Sequence, residues 1–173
     1  MHNGKLSAKL LILDLDDTLF NTKSIDKAVF ASLFDDFHRS ALLDYSEDII
    51  PQITDALWLY PFDQVASKYN FSEQLKGEFI SALNHMEFKL EIEPFQDIEF
   101  LARMPQEKIL VTTGFEHLQM AKINALGIES LFSEFHIDDI MDSERKYKSG
   151  IFKEIITTRH LNAGEVVVIG DNP

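Results

Sequence analysis

The sequence predicts an α/β protein: a three-layer, doubly wound, mostly parallel sheet with an inserted helical cap. Three observations make that prediction. Short aliphatic runs bounded by polar residues recur at Lys9–Leu13, Lys108–Thr112, Glu134–Ile137 and Val166–Gly170, the pattern of strands buried on both faces. Between the last three runs apolar residues fall at helical spacing, so strand and helix alternate, as in a parallel sheet. Between the first and second runs lie about 70 residues with no strand pattern, far more than one crossover needs.

The first run ends in Asp14-Leu15-Asp16-Asp17-Thr18-Leu19. Carboxylates there sit at the carboxyl end of a strand, where open α/β sheets bind their ligands. Side chains alternate along a strand, so Asp14 and Asp16 are expected to start on the same side. One carboxylate could attack a substrate while the other handles a proton. An Asp-x-Asp pair at a strand end is common, so its weight comes from what the rest of the chain adds.

The stretch from Asn21 to Glu93 reads as helical. Ser24 is a candidate N-cap for a helix with Ile25, Ala28, Val29, Leu33, Phe37 and Ala41 on one face. Ser72 is another, ahead of Leu75, Phe79, Leu83 and Met86, and Pro51, Pro61 and Pro94 punctuate the segment. This divides the chain into an α/β core of residues 1–20 and 94–173 and a helical cap of residues 21–93. Trp58, Tyr60 and Phe62 are read as core aromatics rather than as a substrate face.

The second run ends in Thr112-Thr113-Gly114 and feeds a helix expected over Glu116–Leu126, closed by Gly127. A hydroxyl, a Gly-opened turn and a helix N-terminus together make a ready phosphate site. After the third run, His136, Asp138, Asp139 and Asp142 are weighed as a second metal site and read instead as a solvated loop. His85 and His117 lie on helical patterns and are read as surface or core-edge residues. The cluster Arg145-Lys146-Tyr147-Lys148 is conspicuous in so acidic a chain, and a helix with Ile151, Phe152, Ile155 and Ile156 follows it. The fourth run ends in Gly170-Asp171, a further carboxylate for the same sheet edge. Oxygen ligands of this kind suit a hard cation such as magnesium.

The chain has 173 residues, 45% of them hydrophobic and 14 of them Phe, enough for a sizeable core. A net charge of −13 argues against nucleic acid or an anionic membrane as partner. There is no cysteine, which excludes disulfides and thiolate chemistry. No stretch approaches transmembrane length, and Met1–Leu6 lacks the apolar core of a signal peptide, so a cytoplasmic protein is expected.

Taken together and in this order, these pieces resemble the haloacid dehalogenase superfamily. Asp14-x-Asp16-x-Thr18 looks like its first motif, Thr112-Thr113-Gly114 its second, the lysine cluster its third and Gly170-Asp171 its fourth. The helical insertion resembles the family's cap, which would close over a substrate, exclude water and set specificity. The stretch from Thr113 to Gln119, with Lys122 and Ala125-Leu126-Gly127-Ile128, is similar to the capped phosphatase branch. The resemblance implies that Asp14 is a nucleophile and Asp16 a general acid and base. It implies that Thr112 holds the phosphoryl group, with Thr113, Gly114 and Thr18 around the substrate. It implies that Asp14, the main-chain carbonyl of Asp16, and Asp171 ligate Mg2+. Dehalogenating members and P-type ATPases lack a carboxylate at the place of Asp16, so its presence points to phosphate chemistry.

The sequence departs from the family pattern at three places. The usual lysine–proline pair is absent. Both Lys146 and Lys148 fit the third motif, Lys148 with a slight preference because it is closest to the helix that follows. Thr113 stands where relatives often carry Asn. A further acidic residue, strand and helix are expected beyond Pro173. The implied activity is a magnesium-dependent phosphatase acting on a small phosphorylated metabolite, such as a sugar phosphate or nucleoside monophosphate, as a monomer or homodimer. A phosphomutase of sugar phosphates and a catalytically silent binding module are the alternatives.

Overall fold

Four segments make the sheet: Leu10–Leu13, residues 109–111 and Val166–Ile169 are apolar on both faces, whereas Glu134–Asp139 alternates Phe135 and Ile137 with Glu134, His136 and Asp138. In the computed structural model, which describes residues 8–171, they form one parallel sheet. The strands are Leu10–Leu13 (β1), Glu107–Gly114 (β2), Glu134–Asp139 (β3) and Val166–Ile169 (β4), in the order β3-β2-β1-β4. All four expected runs are strands, with ends shifted by a residue or two. The expectations for Met1–Leu6 and for the chain at Pro173 fall outside the described residues.

The alternation along β1 sorts the core into two layers. Leu11 and Leu13, with Leu110 of β2, pack against Ile123 and Leu126, which belong to the helix Glu116–Leu126. Leu10 and Ile12, with Ile109 and Val111, pack against Ile151 and Ile155 of the helix Tyr147–Thr158. Opposite faces of the sheet are therefore covered by different helices, which makes the three layers. The first of these helices matches the expected span, and Gly127 closes it in the left-handed conformation, φ +63°. The second starts four residues earlier than the apolar spacing suggested, at Tyr147 rather than Ile151. A short helix, Ile98–Arg103, was not expected, and Leu101 secures it to the first core layer. The buried Lys108 reaches the carbonyls of Met104 and Gln106 just beyond it, at 2.6 and 2.9 Å.

The chain divides into two compact units, Met1–Ile25 with Leu90–Pro173, and Asp26–Lys89. The second is wholly helical: Ala31–Ala41, Ile50–Leu59, Phe62–Tyr69 and Glu73–His85. In chain order the helices are α1 (Ala31–Ala41), α2 (Ile50–Leu59), α3 (Phe62–Tyr69), α4 (Glu73–His85), α5 (Ile98–Arg103), α6 (Glu116–Leu126) and α7 (Tyr147–Thr158). Ser72 caps α4 as expected, its hydroxyl accepting from Leu75 N at 3.1 Å. The helix expected from Ser24 begins instead at Ala31. Asn21 and Asp26 each accept from the backbone two residues on and hold two short 3-10 turns, while the Ser24 hydroxyl donates back to Asn21 O. The core of this unit is aromatic. Phe62 stacks on Phe79 with ring centroids 4.8 Å apart, and Trp58 packs on Phe30 and Phe34. Tyr60 is exposed.

Candidate active site

β1 ends at Leu13, and Asp14 continues its line: its N–H donates to Ile169 O at 2.9 Å. Its carboxylate is nearly enclosed. Oδ1 accepts from Leu15 N at 2.8 Å, and Oδ2 accepts from Lys148 Nζ at 2.6 Å. Burial pushes the Asp14 carboxyl up and the Lys148 ammonium draws it back, with the balance above the usual carboxylate range. The group is therefore a somewhat more basic oxygen nucleophile than a solvated aspartate, still paired with a cation.

Asp16 meets different partners. Gln119 Nε2 donates to its Oδ2 at 2.8 Å and Lys122 Nζ to its Oδ1 at 2.7 Å. Both come from α6, whereas Lys148 comes from α7, which covers the opposite face. The two carboxylates are thus held by side chains from different helices. The chain leaves the strand after Leu13 and turns, with Leu19 N bonded to Leu15 O at 2.9 Å and Asp17 in the left-handed region at φ 52°. Strand alternation no longer applies there. The Asp17 carboxylate fixes the turn by accepting from the N–H and hydroxyl of Thr22.

Thr112 and Thr113, just before the last residue of β2, lie on opposite faces of the strand. Thr112 is buried and its hydroxyl accepts from Gln119 Nε2 at 2.7 Å. The Thr113 hydroxyl donates to Asp138 Oδ2 at 2.9 Å, so it is engaged away from the Asp16 side. Gly114 leaves room for Gln119: a Cβ there would lie 2.9 Å from Gln119 Cδ. The Thr18 hydroxyl is buried with no hydrogen-bond partner among the described residues. No side chain caps the N-terminus of α6 among the described residues, leaving its first-turn amides to other acceptors.

The two candidate lysines go separate ways. Lys146 reaches Glu154 at 2.8 Å on the surface, and Lys148 reaches Asp14. Lys146 is accordingly not brought to Asp14. Asp138, weighed above as part of a loop or a metal site, is neither. It is buried, and Arg145 grips it with Nε and Nη2 at 2.8 and 2.9 Å. Arg145 also lies over the Tyr147 ring, 4.8 Å from its centroid, and Tyr147 has φ +57° where the chain turns into α7.

Neither Gln119 nor Lys122 was singled out as a site residue from the sequence. The signal was present. Positions 119, 122, 123 and 126 form the buried stripe of α6, and two of the four are polar.

For a divalent cation the donor types fit. Asp14 and the Asp16 carbonyl stand at the end of β1, and Asp171 lies just past β4, whose Ile169 pairs with Leu13. Two carboxylates and a carbonyl leave room for water and phosphate oxygens, as magnesium prefers. Among the described residues no three His, Asp or Glu side chains converge in the manner of a metal site.

The family model for haloacid dehalogenase-like hydrolases matches residues 8–173, and the chain belongs to that family of hydrolases. No curated protein matches the chain. Among solved structures, a haloacid dehalogenase-like hydrolase from Xanthomonas campestris is 16% identical, with 99% of this chain and 76% of that one covered, at a TM-score of 0.51. A haloacid dehalogenase-like protein from Streptococcus pneumoniae is 18% identical, covering 96% and 77%, at 0.53. A hydrolase of the same type from Bacillus subtilis, solved bound to magnesium, is 14% identical, covering 93% and 78%, at 0.52. At these identities the likeness is one of fold. No helix of the described residues is long and apolar enough to cross a membrane.

Proposed function

We propose that this hydrolase is a magnesium-dependent phosphatase that cleaves a small phosphomonoester through a phosphoaspartate on Asp14. The observation that carries this reading is the division of labour at one strand end. Asp14 is held by Lys148 from one layer, and Asp16 by Gln119 and Lys122 from the other. Two carboxylates with separate partners can take separate roles.

In this reading a carboxylate oxygen of Asp14 attacks phosphorus. The ester P–O bond breaks, and the departing oxygen takes a proton from Asp16. Asp16, now a carboxylate, takes a proton from water as that water attacks phosphorus. The Asp14–phosphorus bond breaks, restoring the carboxylate and releasing inorganic phosphate. Lys148 offsets the charge of nucleophile and phosphate, and the Thr112 hydroxyl binds the phosphoryl group. Asp14, the Asp16 carbonyl and Asp171 would hold magnesium, which when bound screens the phosphate charge from Asp14.

The proposed substrate is a sugar phosphate or a nucleoside monophosphate, handled in the cytoplasm by a monomer or homodimer. The net charge of −13 weighs against nucleic acid and anionic membrane as partners. The test is phosphate release from a panel of phosphomonoesters, with magnesium and with chelator, for the natural chain and for Asp14→Asn. Magnesium-dependent release that Asp14→Asn abolishes is expected. A folded protein that releases phosphate from none of them, or an active Asp14→Asn variant, would sink the reading.

A further inference from the structure

Gln119 takes no step in the chemistry above, yet the residue is 1% exposed. It occupies the inward stripe of α6 beside Ile123 and Leu126, where an apolar residue would pack without cost. A buried carboxamide must find partners for its donors. The two hydrogens of Nε2 have three acceptors in reach, one hydrogen being shared: Asp16 Oδ2 at 2.8 Å, Thr112 Oγ1 at 2.7 Å and Thr113 O at 3.0 Å. Two belong to side chains that the proposed mechanism uses, and the third is the backbone between Thr112 and Gly114. The missing Cβ at Gly114 makes the room through which Gln119 passes.

We infer that Gln119 is a positioning residue: its carboxamide ties the Asp16 carboxylate to the Thr112 hydroxyl, and with Lys122 on the other carboxylate oxygen it fixes where Asp16 presents that carboxylate. The inference rests on the proton-transfer role of Asp16 proposed above and deepens it. An aspartate on a turn beyond a strand end has rotamers to lose. Gripping both of its oxygens from one rigid helix removes that freedom before substrate arrives. The tie to Thr112 sets the proton-transfer group at a fixed distance from the group that binds phosphate.

The test compares Gln119→Met, which keeps length and loses the donors, and Gln119→Asn, which keeps the amide one methylene short. Each is assayed on an alkyl phosphate, whose leaving oxygen needs a proton, and on p-nitrophenyl phosphate, whose leaving group does not. For the alkyl ester kcat/KM, which reads the steps through departure of the leaving group, falls about ten- to hundredfold, while kcat/KM for the nitrophenyl ester stays within about threefold; kcat falls for both, because both esters share the phosphoaspartate hydrolysis that Asp16 serves. Gln119→Met adds no further loss to Asp16→Asn. Equal losses of kcat/KM on the two esters would overturn the inference. If Asp16→Asn itself spares the alkyl ester, the role of Asp16 falls. If Asp16→Asn is impaired and both Gln119 variants are not, the positioning role alone falls. A readout independent of turnover accompanies these: the 13C carboxyl resonance of Asp16, assigned by its loss in Asp16→Asn. It moves in Gln119→Met while that of Asp138 does not, and an unmoved Asp16 resonance refutes the tie even if no ester is cleaved.

Discussion

The ammonium of Lys148 lies 2.6 Å from Oδ2 of Asp14, across 134 residues of sequence. Two residues earlier, Lys146 spends its charge on Glu154 at the surface. The sequence offered both lysines for one role, and the turn into α7 separates them. Tyr147, at φ +57°, stands between them in the left-handed region, so the two lysines do not follow one another on a regular helical path.

This pairing predicts an asymmetry. Lys148→Met leaves a nearly enclosed Asp14 without its cation and lowers turnover about 10²-fold or more, with Asp14 rising still further above the usual carboxylate range. Lys146→Met removes only an exposed, solvent-screened pair and leaves turnover within about twofold. Steady-state kinetics of the two variants on one ester check this. Equal losses, or the larger loss in Lys146→Met, would contradict the geometry.

Much of the core was legible from the amino acids because its signals are local. Leu10–Leu13 and Val166–Ile169 are apolar on both faces, and Gly127 ends α6 where only a residue tolerant of positive φ stops a helix cheaply. What lay hidden depends on contacts distant in sequence. Asp138 reads as loop acidity until Arg145 and Thr113 close on it, and Gln119 reads as a polar turn of helix until Asp16 and Thr112 meet it. The start of α1 differs from the apolar spacing for another reason: Asn21 and Asp26 divert the backbone into 3-10 turns, and these side-chain bonds outweigh the apolar spacing that begins at Ile25.

The Arg145–Asp138 pair carries a pH signature. Burial raises the Asp138 carboxyl, but the Arg145 fork and the Thr113 hydroxyl lower it more, and the net position is below the usual carboxylate range. The folded state then binds fewer protons at Asp138 than the unfolded chain in mildly acid solution, so stability rises with pH there. The contribution is full above the unfolded value, about 4, and is lost as pH falls through the folded one. Asp138→Asn flattens that acid limb and costs about 3 kcal/mol near neutrality, because the largely buried Arg145 loses this two-pronged carboxylate contact. Urea unfolding across a pH series reads both, and an unchanged acid limb would refute the assignment. Because the pair anchors the loop leading to Tyr147 and Lys148, the folded variant also loses turnover.

Gly114 makes a sharper prediction about space. A Cβ there meets Gln119 Cδ at 2.9 Å, closer than side-chain carbons approach, so Gly114→Ala must displace the Gln119 side chain. That displacement breaks some of the bonds to Asp16, Thr112 and Thr113 O. The expected result is a cost of about 1–3 kcal/mol from an imperfectly satisfied buried amide, with a loss of kcat that Gln119→Met does not deepen. Additive losses in the double variant would show that Gly114 acts through something other than Gln119.

Ser72 offers a test confined to the helical unit. Its hydroxyl accepts from Leu75 N at the start of α4 and donates to Asp44 Oδ2 at 2.6 Å, so one oxygen both caps the helix and ties it to the segment after α1. Phe79 and Leu83, further along α4, fill the aromatic core of that unit, so fraying at the cap loosens the packing of the helix. Ser72→Ala loses both bonds and costs about 1 kcal/mol, whereas Ser72→Asp restores the cap acceptor and sets a second carboxylate against Asp44. Thermal unfolding of the two variants separates the functions of the hydroxyl. If the cap dominates, Ser72→Asp recovers most of the lost Tm. If the bond to Asp44 dominates, Ser72→Asp is the less stable of the two, and adding Asp44→Asn restores it.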